Sequence, residues 1–200
     1  MTNNYKDKQV FITGGTGSIG WGIVKKLLEY NTKEIVIYSN NENEQFECET
    51  EIGKDVPISF IIGDIRDKER LYVAMSGSDI VFHTAALKHV PVCERNPYEA
   101  VKTNVIGTQN VIDCAFAHSV EKVIGISTDK AAHASNVLGS TKFLSERMMQ
   151  TAQMNHNNDK TKFCLVRFGN VLGSRGSVIP TFAKQSQNGG ARYCNRSRHD

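Results

Sequence analysis

The stretch Thr13–Gly20, TGGTGSIG, decides the fold. It begins where a short apolar run, Gln9–Thr13 (QVFIT), ends. It opens a segment, Ser18–Tyr30, whose Ile19, Ile23, Leu27 and Tyr30 recur at helical spacing along one stripe. Glycines at 14, 17 and 20 carry meaning only in that setting of strand, loop and helix. Gly14 permits a tight turn, Gly17 lets a pyrophosphate approach the backbone, and Gly20 lets the helix pack closely on the strand. The helix start then offers N–H groups and a favourable dipole to phosphates. A glycine turn that holds no ligand is the competing reading.

Working outward, five further apolar runs follow: Glu34–Tyr38 (EIVIY), Ile58–Ile62 (ISFII), Asp79–His83 (DIVFH), Lys122–Ser127 (KVIGIS) and Lys162–Phe168 (KFCLVRF). They are rich in Val, Ile and Phe and mostly lack alternation, which suits strands buried on both faces. Between them, Asp67–Met75 starts on an acid, as a helix N-terminus favours, and Tyr98–His118 and Val137–Met154 read as longer helices. The βα alternation predicts an α/β fold: a Rossmann-type doubly wound parallel sheet with helices on both faces. Asn155–Lys160 (NHNNDK) reads as a polar loop.

Composition narrows the function classes. The 200 residues are 40% hydrophobic and 22% charged, an ordinary globular mixture of single-domain size. Net charge is +3, of which Arg192, Arg196 and Arg198 against Asp200 supply +2. That leaves no broad basic surface, so no nucleic-acid partner is expected. Cys48, Cys93, Cys114, Cys164 and Cys194 are odd in number and form no CxxC pair. Reduced, mostly buried thiols and a cytoplasmic location are expected, without a disulfide framework or bound metal. His83, His89 and His133 lie near the motifs, and partial burial is a better reading for them than ligation. No apolar run approaches the ~20 residues of a membrane span.

The strand tips refine the cofactor. The second strand ends at Tyr38-Ser39-Asn40-Asn41, with no acid for the ribose hydroxyls of NAD and no Arg for the extra phosphate of NADP. Ser39 and Asn40 suit either dinucleotide. The lack of a carboxylate to repel the phosphate leans the expectation to NADP. Asp64 and Ile65 follow the third strand, where an Asp meets the adenine edge. Helix capping is the alternative there, since Asp67 and its neighbours cap well too. The cofactor-binding set so far is Gly14, Thr16, Gly17, Ser18, Ile19, Gly20, Ser39, Asn40, Asp64, Ile65, Ala85 and Ala86.

Four longer motifs add a resemblance: ALKHVP (Ala86–Pro91), EAVKTNVIGTQN (Glu99–Asn110), STDKAA (Ser127–Ala132) and RFGNVLGSRGSVIP (Arg167–Pro180). In this order they resemble the inverting UDP-N-acetylglucosamine 4,6-dehydratases of polysaccharide biosynthesis, which are extended short-chain dehydrogenases. The resemblance spans roughly residues 8–190. It implies tightly bound NADP or NAD, a UDP-sugar substrate and, in the full-length form, a homo-oligomer. It also implies oxidation at the sugar C4, loss of water across C5–C6 and return of the hydride to C6. Such chemistry needs an acid and a base side by side. By resemblance Asp129 is the acid for the C6 oxygen, Lys130 the base for C5, and Thr128 a partner of the C4 oxygen. Asp129 must then hold a proton and Lys130 lose one, which calls for partial burial. Lys142 holds the nicotinamide ribose and eases loss of the C4 proton. By the same resemblance Lys88, near the nicotinamide and substrate, Asn104, which orders the active-site backbone, and Lys142 complete the cofactor-binding set, and Asn170, Arg175 and Ser177 face the substrate.

Two departures bear on activity. Leu138 stands where many relatives carry a tyrosine base, one helical turn before Lys142, and leucine cannot accept a proton. Ala134 replaces a proline usual in the loop, which loosens it. The resemblance stops at Gly190, and ARYCNRSRHD (191–200) has no period. Back-translated with generic codons and shifted by one base, the tail permits a family-like continuation, so a frameshift followed by early termination is expected. The predicted layout is a dinucleotide-binding domain over 1–176, the start of an incomplete substrate domain over 177–190, and an aberrant tail over 191–200. Val178, Ile179 and Phe182 would then lack partners and favour aggregation. Three functions compete: a dehydratase, a catalytically inactive dinucleotide-binding fragment, and a UDP-sugar 4-epimerase, the last disfavoured by Asp129-Lys130 and Leu138.

Overall fold

The computed structural model describes residues 4–155 and 160–171. Met1–Phe168 forms one compact unit, and of the second, Gly169–Asp200, residues 169–171 are described. The boundary expected at residue 176, the tail, and Arg175, Ser177, Val178, Ile179 and Phe182 lie outside the described residues.

Six strands make one parallel sheet: β1 (Gln9–Thr13), β2 (Glu34–Ser39), β3 (Ile58–Ile62), β4 (Ile80–His83), β5 (Lys122–Thr128) and β6 (Lys162–Phe168). Their order, β3-β2-β1-β4-β5-β6, reverses direction beside β1. That reversal opens a crevice at the carboxyl ends of β1 and β4, the usual ligand site of such sheets. Register is continuous, with Thr13 level with Tyr38 on one side and His83 on the other.

The strands alternate between two cores. Val10, Ile12, Ile35 and Ile37 face α1 (Ser18–Leu27) and α2 (Glu42–Ile52), with Trp21, Val24, Leu27 and Cys48 packed on them. Phe11, Val36, Tyr38 and Val81 face the opposite layer, built by α3 (Lys68–Ala74) and two helices later in the chain, Gly107–Ala117 and Val137–Asn155. Val10, Phe11 and Ile12 are fully buried, each worth about 1.5–3 kcal/mol of transfer free energy. Both-face burial holds for the central strands. The edge strand β3 is only half-buried, and β6 is exposed at most positions.

The helices differ from expectation in four places. The buried stripe of α1 is Gly20, Trp21, Val24 and Leu27, because the helix turns its small and aromatic residues to the sheet; Ile19, Ile23 and Tyr30 are half-buried. The helix α2 has no counterpart in the apolar pattern, since only Gln45 and Cys48 are buried along it. A short α4 (Val90–Arg95) begins around Pro91, which needs no backbone donor in a first turn. The expected single helix over 98–118 is α5 (Pro97–Ala100), a π-helical turn (Val101–Ile106) and α6 (Gly107–Ala117). The expected helix from Val137 is present as α7 (Val137–Asn155), which starts where Asn136 accepts from the Gly139 N–H (2.8 Å) and Glu94 accepts from the Val137 N–H (2.7 Å). Cys48, Cys93 and Cys114 are buried as expected, whereas Cys164 on β6 is exposed. No described helix is long and apolar enough to cross a membrane.

Candidate active site

The glycine loop is built as its spacing requires. Gly14 has φ +67°, and a Cβ there would lie 2.8 Å from the Ala85 backbone. A Cβ on Gly20 would overlap the Gly14 carbonyl oxygen and come within 2.7 Å of Gly15 Cα. Gly17 is different: its added Cβ would meet only the Gly14 carbonyl, at 3.3 Å, and otherwise open space. It is the N-cap of α1, with no side-chain cap and no acid in the first turn. The helix thus presents N–H groups beside a cradle that a side chain would fill, a fit for a pyrophosphate. Ser18 and Ile19 stand half-buried at that start, and Ala85 and Ala86 line the opposite side after β4. Thr84 Oγ1 donates to the Thr13 (2.6 Å) and Gly14 (3.1 Å) carbonyls, tying the two loops.

Residues 38–41 hold no acid, as expected, but a carboxylate from α2 reaches the tip of β2. Asn41 caps α2 by accepting from the Glu44 N–H (3.2 Å), and the first turn swings the Glu44 side chain back over the glycine loop. There Thr16 Oγ1 donates to Glu44 Oε2 (2.9 Å) and lies 3.0 Å from Ser39 Oγ. Thr16 and Ser39 are buried, and the Asn41 N–H donates to Ser39 Oγ (3.3 Å). Asn40 is exposed and donates to Asp64 Oδ2 (3.1 Å). Burial pushes Asp64 up, but hydrogen bonds from Arg66 and Asn40 outweigh it and hold its carboxyl below the usual range. Asp67, not Asp64, caps α3 by accepting from the Arg70 N–H (3.0 Å). The Ile65 side chain is core, and its carbonyl accepts from Asn110 Nδ2 (2.9 Å).

A buried network behind the loop joins β1, β4 and α6. His83 accepts from Thr13 Oγ1 at Nδ1 (2.8 Å) and donates from Nε2 to Thr108 Oγ1 (3.0 Å), a tautomer set by the Thr108 hydroxyl donating onward to the Asn104 carbonyl (2.6 Å). Burial, with help from the Lys142 charge, pushes His83 down to about 3. Asn104, in the π-helical turn, is 1% exposed. It accepts from the Leu87 N–H (2.9 Å) and donates to the Leu87 carbonyl (3.2 Å) and to Thr141 Oγ1 (3.0 Å). It therefore clamps the loop that carries Lys88, which is exposed. Asn104 is itself buried, so its part is to hold that loop.

The Thr128–Lys130 run sits at the C-terminal end of β5 and turns into a 3₁₀ helix, Asp129–Ala131. Thr128 Oγ1 donates to Asp129 Oδ1 (2.9 Å), and Lys130 Nζ lies 3.3 Å from the same oxygen. The two side chains are paired, but the pair is open: Asp129 is 59% and Lys130 37% exposed at the side chain. The expected shift of Asp129 is reversed. The Thr128 hydroxyl foremost, then Lys130, holds its carboxyl below the usual range. An exposed carboxylate that accepts two hydrogen bonds keeps its charge.

Lys142 does not reach this open end. Its ammonium is buried and donates to the Ile126 carbonyl (2.7 Å), beside a chamber with about 10 Å³ of free space lined by His83, Ser127 and Glu146. Burial lowers Lys142 to about 8, against the pull of Glu146. Glu146 is itself held below the usual range, chiefly by the bidentate Arg167 (2.8 and 2.6 Å). One turn earlier Leu138 is 4% exposed and packs with Cys93 and Ala100, so it is a core residue rather than a lid over the site. Asn170 is exposed in the second unit.

Sequence reasoning missed Glu44, His83 as a network centre, and Glu94. Only Glu44 left a signal: an Asn followed three residues later by Glu is a helix-start pattern.

The comparisons agree with this architecture. Residues 10–192 match the family described as "Polysaccharide biosynthesis protein". A Methanocaldococcus jannaschii protein described as an uncharacterized membrane protein is 54% identical over 190 residues, 95% of this chain and 57% of that protein. A Campylobacter jejuni UDP-N-acetylglucosamine 4,6-dehydratase (inverting) is 49% identical, covering 90% of this chain and 54% of the enzyme. A Rickettsia bellii UDP-glucose 4-epimerase is 43% identical over the same shares, 90% and 54%. Among solved structures, Pen from Bacillus thuringiensis superposes with a TM-score of 0.90 at 46% identity, over 92% of this chain and 56% of that one. The chain thus spans about half the length of the curated relatives it matches. With the family match over residues 10–192 and relatives at 49–54% identity across at least 90% of its length, the chain belongs to the polysaccharide biosynthesis protein family.

Proposed function

We propose that the chain is the dinucleotide-binding part of an enzyme that removes water across C5–C6 of UDP-N-acetylglucosamine, an NAD(P)-dependent lyase of nucleotide-sugar metabolism. The observation that carries the reading is the Asp129–Lys130 pair, 3.3 Å apart, at the carboxyl end of β5, two strands from the β1 that leads into the glycine loop. A bound nicotinamide dinucleotide supplies the place where a hydride is held and then returned.

The chain's own residues then act as follows. Gly17 and the start of α1 hold the pyrophosphate, and Asn104 fixes the Leu87–Lys88 backbone against the nicotinamide side. Thr128 directs its hydroxyl toward the reacting end of the sugar. A sugar seated on Asp129 and Lys130 displaces water from both. Desolvation disfavours two separated charges and favours the neutral pair, in which Lys130 has handed its proton to Asp129. Asp129 is then ready to protonate the leaving C6 oxygen, and neutral Lys130 to take the C5 proton. The lowered pKa of Asp129 in the open site and its use as an acid are thereby reconciled: substrate burial makes the switch. Asn170, Arg175 and Ser177 are the residues proposed to meet the UDP-sugar.

A second reading, UDP-sugar 4-epimerase, is favoured by the Rickettsia bellii relative. A third, a dinucleotide-binding fragment without turnover, is favoured by Leu138, which offers no base. Mass spectrometry of UDP-N-acetylglucosamine incubated with the purified chain in heavy water separates all three. A product lighter by one water that carries solvent deuterium at C5 is expected. An isomer of unchanged mass selects the epimerase, and unchanged substrate with bound dinucleotide selects the fragment.

A further inference from the structure

We propose that Arg66 is a positioning residue for the base at the adenosine end of the dinucleotide. It holds the Asp64 carboxylate as a fixed acceptor, so that the site selects a base with an exocyclic amine over one with a carbonyl at the same edge. The inference rests on the dinucleotide reading above and names the residue behind the Asp64 contact expected there.

The first ground is the fork. Counting outward from the glycine loop on β1, the ribose meets the tip of β2 and the base the next strand, β3. Asp64 and Arg66 lie just past β3. Asp64 Oδ1 accepts from the Arg66 N–H (2.9 Å) and Nε (3.0 Å), and Oδ2 accepts from Nη2 (2.7 Å). A guanidinium that takes both oxygens fixes the plane of the carboxylate as well as its place. An ammonium at the same position would act only as a point charge.

The second ground is that the fork is itself held. Arg66 Nη1 donates to Glu99 Oε2 on α5 (2.7 Å), and Lys102 Nζ donates to the other Glu99 oxygen (3.1 Å). The backbone is held too. Asn110 on α6 is 8% exposed and donates from Nδ2 to the Ile65 (2.9 Å) and Arg66 (3.3 Å) carbonyls. A Cβ on Gly107 would come within 2.6 Å of Ile65 Cδ1, so α6 lies against this loop. A lone exposed ion pair gives little order. This one is tied to a backbone that a buried side chain anchors.

The third ground is what the held carboxylate can do. Burial works against its charge, and the hydrogen bonds from Arg66 and Asn40 outweigh that. It therefore accepts and does not donate. The exposed Asn40 amide, 3.1 Å from Oδ2, is the partner that gives way to a ligand. Adenine presents an amine that donates to such an oxygen. Hypoxanthine presents a carbonyl oxygen in its place, with no proton between it and the carboxylate.

Titrating NADH and its hypoxanthine analogue into the nucleotide-free chain, read by the fluorescence of the reduced nicotinamide, tests this. NADH is expected to bind about tenfold or more tightly, the worth of one hydrogen bond to a charged group. Arg66→Met should bring the two affinities close together, chiefly by weakening NADH. Arg66→Lys keeps the charge without the fork and should recover only part of the preference. Glu99→Gln, which leaves Asp64 untouched, should narrow it. A merely structural role would weaken both dinucleotides alike and leave their ratio unmoved in all three variants. That result, or equal affinities in the unsubstituted chain, overturns the proposal and leaves the dinucleotide reading standing. Binding of neither dinucleotide overturns both.

Discussion

Acidification from pH 7 to pH 5 should cost this fold about 2 kcal/mol through a single buried imidazole. His83 is 3% exposed and both ring nitrogens are engaged, Nδ1 by Thr13 and Nε2 by Thr108. Protonation would break the Thr13 contact and leave a charge away from water, which is why its pKa falls from 6.5 to about 3. In the unfolded chain the ring takes a proton below about pH 6.5; in the native state it stays neutral until about pH 3. A depressed native pKa means that stability is complete above the upper value and is lost as pH falls through that window. At pH 5 the unfolded side gains about 1.5 pH units, or about 2 kcal/mol at 1.36 kcal/mol each. Asp64, Asp129 and Glu146, held below the usual carboxylate range, add their own loss only nearer pH 4. Urea denaturation at both pH values, with the chain and with His83→Gln, checks this. Glutamine keeps one donor and one acceptor for the two threonines but does not titrate. The variant should be weaker at pH 7 by about 1 kcal/mol and should lose little more at pH 5. An equal pH-dependent loss in both proteins would refute the account of His83.

Three further substitutions probe other parts of the structure. Gly20→Ala should cost about 3 kcal/mol or abolish folding, since its methyl must displace the Gly14 backbone rather than a mobile side chain; an unchanged urea midpoint would contradict the packing described for the loop. Leu138→Tyr should destabilise by about 1–3 kcal/mol because the ring has to fit among Cys93 and Ala100. A variant as stable as the parent would mean that the space for a tyrosine was already open. Arg167→Met should cost about 2 kcal/mol by leaving the buried Glu146 carboxylate without its bidentate partner, and a thermal melt that does not move would show that the pair contributes little.

The sheet was legible because its strands are short, apolar and dense in β-branched residues. Gln9–Thr13, Ile58–Ile62 and Lys162–Phe168 were bounded to the residue. The glycine loop was legible because each glycine answers a separate steric demand. Helices were read less well wherever burial was thin. The polar α2 buries only Gln45 and Cys48, so no apolar stripe announced it, and the Asn41–Glu44 start pattern was the available signal. The π-helical turn was hidden because its residues, VKTNVI, are those of an ordinary helix; the departure is fixed by tertiary packing around Asn104. At the site, Thr128–Lys130 was placed correctly on a strand end, but its electrostatics were misread. Partial burial was assumed where the described residues leave Asp129 exposed and hydrogen-bonded in its charged form. The path of Lys142 into a buried chamber depends on which way a flexible side chain turns, and sequence spacing does not encode that.

The most direct test of the account is dinucleotide binding to the Gly17→Ala chain. Gly17 lies at φ −71°, where any residue is at ease, and its added methyl meets open space apart from one carbonyl at 3.3 Å. The substitution should therefore leave the urea midpoint nearly unchanged and weaken NADH binding by about tenfold or more, because the methyl takes the space into which the pyrophosphate must come. A variant that folds and binds NADH as tightly as the parent chain would contradict the claim that the glycine loop holds a dinucleotide.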